Sequence, residues 1–236
     1  MLPLKDNVPT RAFPVVTVGL IVVNVLVFLW ELSGKGLNNH VFRWGYYPCA
    51  VEGPCTTFYA KHHHELVETV FSSMFMHGGI VHIGGNMLFL WIFGNNVEDA
   101  LGRVRFLVWY LLAGIAATAA QSFVTLQYGS AQDASIPNVG ASGAIAGVLG
   151  AYFLLLPRAS VLTAIFLGFF FIVRQIPAIF FLGIWILLQA LDGTLSLTTP
   201  QAGGGVAFFA HIGGFAFGFL TVHLVKQRRP LQPTWG

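Results

Sequence analysis

Long apolar runs alternate along this chain with short polar stretches, and their lengths decide the elements. About 20 apolar residues, each rising about 1.5 Å, carry a helix across a bilayer. Runs of this kind predict membrane spans at about 12–30, 79–97, 104–126, 142–156, 177–191 and 205–225. The fifth is set by its punctuation: Val161 to Val173 is apolar but short, Arg174 interrupts it, and Pro177 opens a further run to Leu191. Proline favours the first turn of a helix, so this span starts near Pro177. The stretch 161–173 is then expected at the inner membrane face or packed beneath the bundle. Segment 31–78 lies between the first two spans on the outer side. Its aromatics (Phe42, Trp44, Tyr46, Tyr47, Phe58, Tyr59) suit a segment lying in the membrane interface. The pattern predicts an all-α membrane protein, one domain over 1–236 with six spans and no internal repeat.

Composition agrees: 56% of the 236 residues are hydrophobic and 9% charged, against about 25% charged in soluble proteins. The net charge of +3 matters by position rather than by sum. With six spans and both termini inside, Lys5, Arg11, Arg103, Arg105, Arg158, Arg174, Lys226, Arg228 and Arg229 face the cytoplasm, and Lys35, Arg43 and Lys61 lie outside. That is the asymmetry the positive-inside rule requires, and counting 161–173 as a further span would put the Arg228-Arg229 tail on the wrong side. The first run, Ala12 to Trp30, exceeds the usual signal-peptide core of about 7–15 residues and lacks a clear A-x-A site, so it is read as an uncleaved span. No block of basic residues points to nucleic acid. Cys49 and Cys55 are too few for a disulfide framework, and the sequence leaves open whether they pair.

Polar groups recur at one depth. Counted up from Pro157-Arg158, the 15 residues to Ser142 give about 22 Å against a hydrocarbon core of about 30 Å, so Ser142 lies below the outer surface. The preceding "YGSAQDASIPNVGA" must then enter as non-helical chain, which a bilayer permits only where it is buried in protein or lines a wet cavity. His211, about six residues into the sixth span, is roughly 9 Å down, in the same layer. His82 and Asn86, four apart on one face of the second span, reach that layer too. Ionisable groups at membrane depth are functional candidates by default.

Gly143 and Gly147 on the fourth span, and Gly214 and Gly218 on the sixth, are small-xxx-small pairs that let helix backbones approach closely. Such packing would bring His211 within hydrogen-bond reach of Ser142, an arrangement that activates a serine for attack on a carbonyl. The oxyanion so formed needs donors, and Asn86, His82 and the Ser142 amide at a helix start have that chemistry. Asp133 and Asp192 are assigned to outer loops, so no carboxylate is placed to orient His211, and the expectation is a dyad rather than a triad.

These residues carry a resemblance. "GASG" at Gly140–Gly143, "AHIGGFAFG" at Ala210–Gly218 and "HGGIVHIGGN" at His77–Asn86 follow the order of the motifs of the rhomboid intramembrane serine proteases, so that the chain resembles the prokaryotic six-span type over about residues 77–218. G-x-S-G alone is weak; the three together on a six-span frame are specific. The resemblance implies a rhomboid-like bundle with both termini cytoplasmic, in a prokaryotic plasma membrane, with its active site open to the extracytoplasmic side. It implies cleavage of single-span or multi-span membrane protein substrates within the lipid bilayer near the outer face, with small residues favoured at the cut and helix-weakening ones beyond it. By the same carry-over Ser142 is the nucleophile, His211 the base and then acid, and His82 and Asn86 oxyanion donors; no metal or cofactor is expected. Where some members have a Trp-Arg pair just before the second span, this chain has Glu68-Thr69, which bears on how the outer segment seats in lipid.

Other polar residues read as structural. His77 ties the outer segment to the bundle, His223 wets its ring near the inner end, and Glu98-Asp99 with Arg103 mark the inner edge of spans two and three. In "KHHHE", Lys61 to Glu65, adjacent histidines on a helix point in different directions, which favours a solvated or headgroup-facing surface over a metal site. A non-catalytic rhomboid-like binder of membrane helices is the alternative function, and such relatives typically lack the serine or histidine present here. A transporter would more often show carboxylates at mid-membrane.

Overall fold

The computed structural model describes residues 1–34, 36–168, 170–198 and 206–227. Lys35, the start of the sixth span at 205 and the Arg228-Arg229 tail lie outside them. A strand β1 (Leu2–Asp6) precedes α1 (Val15–Glu31), whose first-turn N–H groups are capped from a distance. The buried Glu98 carboxylate accepts from Val16 N–H (3.0 Å), Thr17 N–H (2.7 Å) and Thr17 Oγ1 (2.8 Å), a negative group where the helix has unpaired donors. Glu98, expected only to mark a span's edge, is therefore a helix cap.

Segment 31–78 folds into short helices α2 (Leu37–Trp44), α3 (Phe58–Lys61) and α4 (Leu66–Ser73). Its aromatics divide: Phe42 and Phe58 are exposed, whereas Tyr46 and Tyr47 are buried, so part of the segment packs against protein rather than facing outward. Cys49 and Cys55 form a disulfide, which settles the pairing the sequence left open.

The second predicted span is α5 (Ile80–Phe89), a π turn (Leu90–Gly94) and α6 (Asn95–Leu101). Gly102, at φ +81, reverses the chain into α7 (Arg103–Tyr128). After a largely non-helical loop come α8 (Ser142–Leu155), α9 (Ala178–Thr198) and α10 (Phe208–Val225). From Gly143 to Tyr152 every residue of α8 is buried, as befits a helix that is apolar all round. Its Leu149 and Tyr152 share the core with Phe93 and Phe181. Among the described residues, α7, α10 and residues Ala178–Leu197 are long and apolar enough to cross a membrane, and α1 and α8 are shorter apolar helices.

Two expectations are corrected. The fold is mostly helical, not all-α: β1, β2 (Ser160–Leu167) and β3 (Phe170–Pro177) form an antiparallel sheet in the order β1-β2-β3. The stretch 161–173 is thus part of a hairpin, turned at Gly168 (φ +67), at the end of α8 away from Ser142. Its Val, Ile, Thr and Phe content favours a pleated strand, and a short apolar run does not by length alone separate strand from helix. Asp192 lies within α9, not in a loop. The helix runs past its predicted end at 191, and within it Thr194 and Ser196 bond back to Ala190 O (2.8 Å) and Gly193 O (2.7 Å).

Candidate active site

The first turn of α8 delivers Ser142 and the first turn of α10 delivers His211. Glycines draw the two helices together. A Cβ on Gly214 would overlap the carbonyl oxygen of Gly143, and one on Gly218 that of Gly147. On its other side α8 is as tight: a Cβ on Gly143 would stand 2.6 Å from that of Ala117, and one on Gly147 2.7 Å from that of Ala113, both on α7. With the backbones this near, His211 Nε2 lies 2.7 Å from Ser142 Oγ.

The other ring nitrogen also has a partner. His211 Nδ1 lies 2.6 Å from Gln189 Oε1 on α9, and Trp185, one turn earlier, packs against the same ring with centroids 5.7 Å apart. Sequence reasoning looked only for a carboxylate and missed this amide. The signal was there, since Gln189 is a lone polar residue in the apolar run Ala178–Leu191.

The loop before α8 is non-helical from Gly129 to Ala141 apart from a 3-10 turn at Asp133–Ser135. Its backbone bonds partly within the loop and partly to the outer segment. Tyr46 and Asn138 exchange backbone bonds (3.1 and 2.7 Å), Gly140 N–H donates to Ser73 O (2.8 Å), and Thr56 N–H donates to Ser135 Oγ (2.8 Å). The Cys49–Cys55 bond closes the turn beside this seam.

His82 has a defined tautomer. Gly78 N–H donates to its Nδ1 (3.3 Å), so Nδ1 holds the lone pair and Nε2 the proton. That Nε2 faces Gly140, where a Cβ would stand 2.8 Å from it and 3.5 Å from Ser142 Oγ; with φ +133 as well, the position requires glycine. Asn86 is 8% exposed, and its Nδ2 donor has no partner. Ser142, His211, His82, Asn86, Trp185 and Phe89 line one cavity of about 980 Å³.

His77 is buried behind His82, with ring centroids 5.1 Å apart and its backbone N–H 3.2 Å from both oxygens of Glu31 at the end of α1. Burial pushes its imidazole down to about 3, so it is neutral. The rings of His62, His63 and His64 turn to separate partners: Phe58 O (2.9 Å), His64 O (2.7 Å), and the Trp44 indole, stacked at 3.9 Å. His223 is exposed near the end of α10.

A half-buried serine–histidine pair beside an unfilled amide donor, set among apolar helices of which three of those described are long enough to cross a membrane, defines a class: multi-pass membrane proteins with a polar site between their helices. Residues 64–228 match the rhomboid domain family. The chain is 31% identical over 170 residues to Rhomboid protein 1, mitochondrial, of Saccharomyces cerevisiae, covering 68% of this chain and 44% of that one. It is 30% identical over 226 residues to the human Presenilin-associated rhomboid-like protein, mitochondrial, covering 92% and 51%. RHOMBOID-like protein 4 of Arabidopsis thaliana is 32% identical over 149 residues, covering 63% and 32%. The chain belongs to the rhomboid family and spans about half the length, or less, of these curated relatives. The names of the first two place them in mitochondria, which lends no support to the expected prokaryotic plasma membrane.

Proposed function

We propose that this chain is an intramembrane serine endopeptidase that cleaves transmembrane-helix substrates with Ser142 and His211. The observation that carries the reading is the 2.7 Å approach of His211 Nε2 to Ser142 Oγ, within hydrogen-bond reach. His211 takes the Ser142 proton as Oγ bonds to the scissile carbonyl carbon. The oxyanion then accepts from the Asn86 Nδ2–H, the His82 Nε2–H and the Ser142 N–H, donors held in place before the charge develops. On collapse the C–N bond breaks and the imidazolium Nε2–H protonates the departing amine. A water, deprotonated by the same nitrogen, adds to the acyl-enzyme, and the serine leaves with the proton restored.

Six helical segments cross the membrane in this reading: α1, the α5–α6 run, α7, α8, α9 and α10. One domain results, with both termini on the cytoplasmic side and the Ser142 end toward the outer side. The sheet end carries Lys5, Arg158 and Arg174, and the Cys49–Cys55 bond suits an oxidising outer compartment.

Cleavage of a test transmembrane substrate in liposomes, by the native chain and by Ser142→Ala and His211→Ala at matched folding, tests the proposal. Activity confined to the native chain supports it. Cleavage by either variant at the native rate removes that residue from the mechanism, and no cleavage of any of a panel of substrates leaves a helix-binding protein.

A further inference from the structure

The expected dyad leaves the second nitrogen of His211 without a role, and the structure fills it. Gln189 Oε1 lies 2.6 Å from Nδ1. An amide oxygen only accepts, so this bond holds the proton on Nδ1 and leaves the Nε2 lone pair toward Ser142 Oγ, 2.7 Å away. That is the one neutral tautomer able to take the serine proton. Were the amide turned so that its NH2 met Nδ1, the ring proton would sit on Nε2 and face Ser142, and the ring could not act as a base. Two residues one turn apart on α9 thus confine the ring: Trp185 packs beside it and Gln189 sets its protonation.

We propose that Gln189 is the third, uncharged member of the site, a positioning residue that keeps His211 in the Nδ1–H form and aims Nε2 at Ser142. The proposal rests on the serine–histidine reading above. Unlike a carboxylate, the amide introduces no charge to be desolvated within the helix bundle. It orients the base and stabilises the imidazolium only through this one dipolar hydrogen bond, less than the full charge of a carboxylate would.

The test compares Gln189→Met, similar in length but without the acceptor oxygen, with Gln189→Glu, which retains one. Each is assayed with a transmembrane substrate in liposomes beside the native chain and Ser142→Ala, with thermal unfolding followed in parallel. Gln189→Met is expected to lower kcat by about 10–100-fold, the scale of a misplaced catalytic group, with KM within about twofold and an unchanged unfolding midpoint. Gln189→Glu is expected to recover at least tenfold of a 100-fold loss. A Gln189→Met variant with native kcat overturns the proposal, and so do equal kcat losses in both variants, which would mark a packing role. A second readout needs no turnover. The 15N imidazole spectrum, with the His211 signals assigned by their absence in His211→Ala, should show a protonated Nδ1 in the native chain and a mixture of tautomers in Gln189→Met. A native Nδ1 without a proton overturns the proposal even if no substrate is cut. Cleavage that survives in Ser142→Ala, by contrast, refutes the function and not the tautomer.

Discussion

The two ends of α8 hold their polar groups in opposite ways. At the Leu155 end the bonds close on the protein itself: Asp6 Oδ2 accepts from Tyr152 OH (2.6 Å) and Asn96 Nδ2 (2.7 Å), and Glu98 caps α1 through three donors. At the Ser142 end Asn86 Nδ2 is buried and unfilled, and the serine–histidine pair opens on a cavity. A buried polar group without a partner costs stability, so a donor left unfilled beside a cavity is capacity held for a ligand. Open bonding alone does not mark a site, since the ring nitrogens of His77, Tyr110 OH and Asn24 Oδ1 are also buried without partners. What sets Asn86 apart is that its open donor borders the cavity that Ser142 and His211 line.

The largest effect that would break this division is at the pair. Ser142→Ala or His211→Ala should lower kcat by about 10⁴-fold or more, with the unfolding midpoint in detergent little changed. If either unfolds the chain instead, that residue belongs with the structural end. Next comes the donor: Asn86→Ala is expected to reduce kcat by about 10²–10³-fold, the loss for one oxyanion donor, and not to destabilise, because it removes a group with no internal bond. Equal kcat and a lower midpoint would return Asn86 to a structural role.

Gly218→Val couples the two ends. Its side chain meets the Gly147 carbonyl, so an overpacking cost of about 1–3 kcal/mol should appear with a loss of cleavage as α10 is pushed off α8. Glu98→Ala should affect stability alone, by about 1–2 kcal/mol from the lost cap, with kcat within about twofold. The smallest effect is a pH dependence. Burial raises the Asp6 carboxyl from 3.8 to about 6, so the folded chain binds the extra proton between those values. The stabilisation is complete below about pH 4 and is lost as pH rises through 6. The difference in unfolding midpoint between the native chain and Asp6→Asn should therefore grow on acidification from pH 7 to 4; a constant difference removes Asp6 from that linkage.

Much of this was legible beforehand, for reasons that can be named. Among the described residues, helices lie along the apolar runs, because run length is a local property of the chain. Ser142, His211, His82 and Asn86 could be assigned one depth because a helix rises by a fixed step per residue. The glycine spacing announced which helix faces meet, and Gly214 and Gly218 do lie against the backbone of α8. The hairpin at 160–177 is signalled by its β-branched residues and by Gly168, but run length measured against the membrane does not separate a strand from a helix.

By itself the sequence determined most of the helices and named the residues proposed to carry the chemistry, because each of these follows from local length, spacing and residue type. The tertiary structure alone decided the pairing of β1 with β2, which joins Leu2 to Ala164, and the partner of His211 Nδ1 on another helix. Those contacts depend on how each element is rotated about its own axis and against its neighbours. That rotation is set by packing across the whole chain, and no local stretch of sequence contains it.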